Sequence, residues 1–164
     1  MASGDQHDKS TKIWFIPFGL VISMIMGVEN GVISSISFLI GGLWLSPDLD
    51  TNSNATKRWG RIKYLWWPYK KLIPHRSIFS HGPFIGSTLR LAYLAILIIA
   101  LISLLEQILN IDKAPYNLSK LKEDIIQFRH TYLPVILGVE GSAWLHLIKD
   151  GDPLPSELHK RKQK

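Results

Sequence analysis

Four long apolar blocks alternate with polar segments along the chain. The blocks cover residues 13–28, 31–45, 83–109 and 132–148. Helices surrounded by lipid are apolar on all sides, and a helix that spans a bilayer needs about 20 residues. The third block reaches this length, and a thin bilayer or flanking aromatic anchors accommodate the other three. The pattern therefore predicts an all-α fold, a bundle of about four hydrophobic transmembrane helices.

The ends of the blocks support this interpretation. Only Glu29 and Asn30 separate the first two blocks, so we predict a tight helical hairpin at these residues. Tryptophans lie near block ends, where interfacial aromatic side chains are expected: Trp14, Trp44, Trp66, Trp67 and Trp144. The alternative is a soluble four-helix bundle, but the first two blocks present no polar face to water.

Length and composition limit the remaining choices. The 164 residues fit one domain, with an N-terminal segment at 1–12, a helical bundle at 13–148 and a polar tail at 149–164. Hydrophobic residues make up 46% and charged residues 20%, which excludes disorder for most of the length. The chain has no cysteine, so any metal must bind to histidine, aspartate or glutamate.

Positive charge is concentrated in two places, and the net charge is +6. The segment 46–82, a long basic loop between predicted helices 2 and 3, carries seven lysines and arginines: Lys57, Arg58, Arg61, Lys63, Lys70, Lys71 and Arg76. The tail ends in HKRKQK. By the positive-inside rule, this loop and both termini face the cytoplasm, with the tail close to membrane lipid.

Residues of metal-ligand type gather at the block ends. With helices running up and down in turn, seven of them fall at one end of the bundle, the cytoplasmic end: His7, Asp48, Asp50, His75, His81, His146 and Asp150. Nitrogen and carboxylate ligands without thiolate suit Zn²⁺, Mn²⁺ or Fe²⁺. Six or seven ligands are enough to hold one or two divalent ions. The topology therefore predicts a metal site at this end.

Local spacing assigns a role to most of these residues. His146 and Asp150 are four apart and share one face of a helix. Asp48 and Asp50 point the same way if "SPDLD" is extended. His81 precedes Gly82-Pro83, where a helix can begin. Arg76 lies between the two loop histidines and is a candidate catalytic residue, because it could bind an anionic oxygen.

Each residue also has an ordinary structural interpretation. His75 could be a polar surface residue, Asp48 and Asp50 could cap a turn, and Asp150-Gly151 is a turn signal. Glu140 could pair with Arg90 across the bundle. The combination of seven residues at one end argues for the metal site more strongly than any one of them.

Several motifs resemble a known bacterial family. The stretches "SGDQHD", "GGLWLSPDLD", "IPHRSIFSHGP" and "WLHLIKD" resemble a family of uncharacterised metal-binding proteins. That family is similar, more distantly, to the YdjM-like membrane-bound metal-dependent hydrolases. The resemblance implies the same seven metal ligands and a place in the bacterial cytoplasmic membrane. The chain departs from the distant relatives in its basic insert at 51–72.

Three functions follow as hypotheses. The first is a metal-dependent hydrolase at the cytoplasmic membrane face that acts on a phosphoester or lipid-like substrate through activated water. The second is a non-catalytic membrane protein in which the ion fastens the helix ends together. The third, nucleic-acid binding through the bases and tryptophans of 57–71, is weaker because the same residues suit a cytoplasmic membrane loop.

Overall fold

The protein is described by a computed structural model that covers residues 2–110, 126 and 129–151. Four long helices dominate it: α1 (Gly4–Met26), α2 (Val28–Trp44), α6 (Ile85–Ile108) and α7 (Arg129–Asp150). Between α2 and α6 lie the short helices α3 (Asn54–Arg58), α4 (Trp67–Leu72) and α5 (Ile78–His81), with 3-10 helices at Pro47–Asp50 and Gly60–Trp66. No strand occurs in the described ranges, which confirms the all-α prediction. The predicted tail lies outside the described residues from 152 onwards.

Helix α1 begins well before the first apolar block, because the polar residues ahead of it form a capping box. The Ser3 hydroxyl accepts from the Gln6 amide at 3.3 Å, and the Ser3 amide donates to the Gln6 side chain at 2.7 Å. This reciprocal pair satisfies two amides that a helix N-terminus otherwise leaves without partners. Most of the predicted N-terminal segment is therefore helical, and His7 lies on the helix.

The hairpin between α1 and α2 turns at Gly27, earlier than predicted. Gly27 has φ of +91°, a value that glycine adopts without steric cost, and it caps both helices. Glu29 consequently belongs to the first turn of α2. The position of the glycine, and not the polar pair that follows it, fixes the turn.

Small residues let α1, α2 and α7 pack closely. A Cβ added at Gly138 of α7 would lie 2.3 Å from the Ser34 carbonyl oxygen and 2.7 Å from the Phe38 amide nitrogen of α2. A Cβ at Gly42 of α2 would lie 2.4 Å from Thr11 of α1. Backbones in such contact leave no room for a side chain, which is typical of helices that associate in a bilayer.

Helix α6 departs from the compact four-helix bundle that the sequence predicted. Its buried residues are Gly86, Ser87 and Arg90, all in the first two turns. Beyond them its surface is open, and Ile96, Ile98 and Leu101 are all exposed. The small residues Gly86 and Ser87 allow a close approach only at the start of the helix, so the bundle proper consists of α1, α2 and α7.

Within the described residues, three segments are long and apolar enough to cross a membrane: Gly4–Met26, Val28–Asp50 and Ile85–Ile108. Ile85–Ile108 is the most apolar of the three, with a mean hydropathy of 2.4. Most of its exposed surface is therefore apolar.

The connection between α2 and α6 has a small hydrophobic core of its own. Leu45, Leu49, Ala55, Trp66 and Tyr69 form it. Trp66 is 0% exposed and contacts its neighbours edge-on, so its assignment to the bilayer interface is wrong. The core fixes this connection against the end of α2.

We predict that replacing Gly138 with leucine separates α7 from α2. Because the clash is with backbone atoms, which cannot move aside, the free energy of unfolding should fall by about 1–3 kcal/mol or more. Unfolding of detergent-purified protein measures the effect. Ile136→Leu, at an exposed position of the same helix, is the matched control and should change stability by less than about 0.5 kcal/mol. Equal stability of the two variants would contradict the packing described here.

Candidate metal centre

The structure brings all seven predicted ligand residues into one continuous cluster. His7 comes from the start of α1, and His146 and Asp150 come from the end of α7. The other four come from the connection between α2 and α6: Asp48, Asp50, His75 and His81. Three overlapping groups of these side chains each place a set of ligand atoms within 4.8 Å of one another.

The first group consists of His7, His146 and Asp150. The imidazole rings of His7 and His146 stack with centroids 3.8 Å apart. His7 Nε2 lies 3.1 Å from Asp150 Oδ1, and His146 Nε2 lies 3.6 Å from Asp150 Oδ2. The carboxylate thus faces one nitrogen from each of the two stacked rings.

The second group shares His146 with the first and adds Asp48 and His81. Asp48 Oδ1 lies 3.5 Å from His146 Nε2 and 3.6 Å from His81 Nε2. These separations are too long for good hydrogen bonds. Two ligands on one tetrahedral zinc ion are about 3.4 Å apart, given bonds of about 2.0–2.1 Å. The spacing therefore fits donors that converge on a common ion.

Unpartnered nitrogens strengthen this fit. His7 Nδ1, His81 Nε2 and His146 Nε2 are buried and have no hydrogen-bond partner among the described residues. A buried polar atom without a partner is destabilising, and native structures rarely leave one unless an ion, water or function accounts for it. Imidazole nitrogens and carboxylates are ligands that divalent zinc, manganese and iron accept.

The third group, Asp50, His75 and His81, has a different character. His75 Nδ1 lies 3.0 Å from both carboxylate oxygens of Asp50, a hydrogen-bonding distance. The Asp50 side chain is 0% exposed, whereas that of His75 is 42% exposed. Asp50 therefore holds His75 at the open edge of the cluster, and the pair is positioned like a ligand with its orienting carboxylate.

The two aspartates reach the cluster through a 3-10 turn, so "SPDLD" is not extended and the condition for Asp48 and Asp50 to point the same way is not met. Ser46 caps the turn by accepting from the Asp48 amide at 3.4 Å, and Pro47 occupies its first position. In such a turn the side chains diverge around the helix axis. Asp48 accordingly faces His81 and His146, while Asp50 faces His75.

Two serines that sequence reasoning missed contact the central histidines. Ser80 Oγ donates to the carbonyl oxygen of Pro74 or Ser77 and lies 2.9 Å from His81 Nδ1. With its proton donated, that oxygen is free to accept from Nδ1–H, and in the neutral tautomer with this contact Nε2 of His81 is the free ligand atom, 3.6 Å from Asp48 Oδ1. Ser46 Oγ lies 3.4 Å from His146 Nδ1. No sequence motif distinguishes these serines from others in the chain.

Asp48 lies between two imidazole rings just beyond the end of α2. Its Oδ1 faces Nε2 of both His146 and His81. A metal ion would bind this carboxylate in its ionised form and each imidazole through an unprotonated nitrogen.

Arg76 lies at the rim of the cluster. Its backbone adopts φ of +61°, and its guanidinium lies 3.8 Å from Asp150 Oδ2. The side chain is partly exposed, and Arg76 directly follows His75 in the chain. This placement puts a cation at the edge of the cluster that an anion can approach.

Other charged residues near the cluster form hydrogen bonds or ion pairs with residues outside it. Glu140 accepts from the Phe84 amide at 2.8 Å, and no ion pair joins it to Arg90 in the described part of the chain, contrary to the alternative raised by the sequence. Arg90 donates instead to the Ser80 carbonyl at 2.7 Å. Asp8 forms an ion pair with Arg58. These contacts support the backbone around His81 and keep Asp8 out of the cluster.

We predict that Ser80→Ala weakens metal binding without removing a ligand. Loss of an orienting partner typically lowers affinity by about 10–100-fold, because the imidazole is then free to rotate. Titration of chelator-stripped protein with Zn²⁺ should show this loss with the saturating metal content unchanged. Ser34→Ala, at a buried serine of α2 that lies away from the cluster, is the control and should bind like the wild type. Equal affinities for both variants would argue against this role for Ser80.

Comparison with known proteins agrees with the chemistry of the cluster. Residues 2–162 match the family described as uncharacterized metal-binding protein (DUF2227). A protein of Aquifex aeolicus, named only as an uncharacterized protein, is 38% identical over 72 residues, which cover 43% of this chain and 50% of that protein. No solved structure matches. Since the family match extends over nearly the whole length, the chain belongs to this family of metal-binding proteins.

Proposed function

We propose that this protein is an integral membrane protein that binds one or two divalent ions through the seven-residue cluster and uses them in hydrolysis at the cytoplasmic face of a bacterial membrane. The observation that carries the proposal is the set of buried, unpartnered imidazole nitrogens around shared carboxylates. Membership of a metal-binding family supports the ligand part. The hydrolytic part is supported by the open edge of the cluster, where exposed His75 and partly exposed Arg76 lie beside the buried histidines.

The two groups that share His146 are the strongest candidates to hold ions. Asp48, His81 and His146 offer three donors, and His7 and Asp150 add two more beside them. Zinc suits this set best, because zinc binds imidazole nitrogens and carboxylate oxygens and catalytic zinc sites combine the two. A divalent ion held there would supply Lewis acidity and lower the pKa of a bound water, which would make that water a better nucleophile towards a phosphoester. His75 at the open edge could complete the ligand set or transfer a proton.

Arg76 would bind the negative charge of the substrate. Among the described residues its guanidinium has one ion-pair contact, to Asp150 at 3.8 Å, and a guanidinium can form paired hydrogen bonds to a phosphate. Because charge builds up on those oxygens during the reaction, a cation beside them lowers the barrier.

Membrane insertion rests on the three apolar segments and on charge. Exposed isoleucine, leucine and valine side chains cover α1, α2 and α6, and water would be a poor solvent for them. The basic connection between α2 and α6 lies at the same end as the cluster. Placing that end in the cytoplasm agrees with the positive-inside rule.

We expect His146→Ala to lose most of the bound metal, because His146 belongs to two of the three groups. His75→Ala, at the exposed edge, should lose less. Elemental analysis of detergent-purified protein measures metal per chain. Glu140→Gln, which changes a buried carboxylate outside the cluster, is the control and should retain the wild-type metal content. Wild-type metal content in His146→Ala would overturn the assignment of the site.

A non-catalytic role for the metal is the second candidate, favoured by the way the cluster joins the ends of α1 and α7 to the connection after α2. Hydrolysis predicts metal-dependent turnover on a panel of phosphomonoesters, phosphodiesters and phospholipids. Arg76→Ala should then lower kcat by about 100-fold while the metal content stays unchanged, because a donor to developing charge is lost. A purely structural ion predicts a lower melting temperature on chelation and no turnover by any form of the protein.

A further inference from the structure

The connection between α2 and α6 carries a second surface that the metal cluster does not use. We name residues 57–72 the basic segment. The sequence contains no aspartate or glutamate from residue 51 to residue 82, while the basic segment alone contributes six bases: Lys57, Arg58, Arg61, Lys63, Lys70 and Lys71. Arg58 pairs with Asp8, and Lys70 donates to Asn52. The other four form no ion pair with any residue that the structure describes.

The basic segment is fixed firmly to the bundle. Trp66 and Tyr69 point inward and are buried in the small core beside Leu45 and Leu49. Trp59 Nε1 donates to the Trp44 carbonyl at the end of α2 at 3.0 Å, and Tyr93 of α6 donates to the Leu65 carbonyl. The segment therefore lies at a defined level, between the end of one apolar helix and the first turns of another.

The outward side of the segment combines bases with large apolar groups. Tyr64 is 72% exposed, Trp67 61% and Leu72 78%. Lys63 Nζ lies 5.5 Å from the Tyr64 ring centroid, and Lys71 Nζ lies 5.2 Å from that of Trp67. Exposed aliphatic side chains, Ile62 and Leu65, lie among them.

We propose that the basic segment binds the anionic phospholipid surface of the bilayer and seats the metal cluster at the level of the headgroups. Tyrosine and tryptophan with neighbouring lysines are typical of the membrane interface, where rings lie at the headgroups and bases contact phosphates. Ile62, Leu65 and Leu72 suit the acyl boundary, whereas base stacking on nucleic acid uses aromatic faces and would leave these aliphatic groups in water. The positive charge of the segment complements anionic headgroups. Its position beside the ends of the apolar helices α2 and α6 favours lipid over nucleic acid as its partner.

The chain continues from the basic segment directly into the metal cluster. Only Ile73 and Pro74 separate Leu72 from His75 and Arg76. A headgroup phosphate held by the segment is thereby brought near the open edge of the cluster. This inference rests on the proposed function for membrane insertion, and it adds the class of partner, an anionic phospholipid.

The absence of cysteine makes a clean experiment available. Ile62→Cys, labelled with an environment-sensitive fluorophore, reports on the segment in the 164-residue chain held in zwitterionic micelles. Titration with phosphatidylglycerol should shift the emission to shorter wavelength, and phosphatidylcholine should not. Each base near an anionic surface contributes about fivefold in affinity, and each glutamate is in addition repelled, so Lys63→Glu with Lys71→Glu should raise the half-saturating phosphatidylglycerol concentration by at least about 25-fold. Raised salt should weaken the response.

A matched control separates the segment from overall charge. Lys9→Glu with Lys12→Glu, both exposed on α1, makes the same change in net charge and should leave the titration much closer to that of the parent. An equal response to phosphatidylcholine, or equal loss in both double variants, would overturn the proposal. So would an oligonucleotide that displaces the lipid at a lower phosphate concentration, since the segment would then be a nucleic-acid surface.

Two further measurements separate this proposal from the proposed function. Alkaline extraction of membranes tests insertion, and elemental analysis tests metal content, on the same labelled protein. If the protein stays in the membrane and keeps its metal but shows no emission shift with phosphatidylglycerol, the lipid proposal alone is wrong. Protein that is extracted, or that lacks metal, defeats the proposed function even where the lipid response is intact.

Discussion

Three largely buried carboxylates lie at one end of the hydrophobic helix bundle. The structure depends on how their negative charge is compensated. The Asp50 side chain is completely buried, and Asp48 and Asp150 are largely buried. An ionised carboxylate removed from water is strongly destabilising unless hydrogen bonds or positive charge offset the loss of hydration. Four imidazoles and Arg76 surround these carboxylates, and a divalent ion would add the largest positive charge available. The stability of this end of the bundle therefore depends on the groups that balance the negative charge of the carboxylates.

Close helix packing makes that compensation geometrically available. Thr11 lies one turn after His7 on α1, and Gly42 lies one turn before Ser46 at the end of α2. Because a Cβ at Gly42 would meet the Thr11 side chain at 2.4 Å, the glycine lets the two helices approach just below the cluster. The stacking of His7 on His146 requires a similar approach of α1 to α7. Small residues in the bundle therefore determine the distances between ligands.

Sequence reasoning predicted the long helices, because each apolar block indicates one helix. It also predicted that the seven residues lie at one end of the bundle, because consecutive helices run in opposite directions. It failed where single backbone positions decide the outcome. The hairpin turns at Gly27 because of its positive φ, and Pro47 closes a 3-10 turn in place of an extended segment. The burial of Trp66 and the orienting contact of Ser80 depend on tertiary neighbours that no local pattern reveals. Likewise, uniform hydrophobicity in α6 could not indicate how little of it packs.

The residues of the cluster differ in their exposure to solvent, so the cluster has a buried side and a more open side. His7, His81 and His146 are all buried, whereas His75 and Arg76 lie on the open side. Asp48 is also partly exposed, in a small cleft that it lines with His7 and Ser46, so His75 and Arg76 form the more open of two edges. The basic segment is separated from His75 only by Ile73 and Pro74, and its Trp67, Lys63 and Lys71 side chains are exposed. If the segment lies on anionic headgroups, phosphate is concentrated at this more open edge, beside a guanidinium suited to bind it. In that case the metal ligands, the open edge and the basic segment would act together. The membrane would anchor the protein and would also present the class of substrate to the open edge.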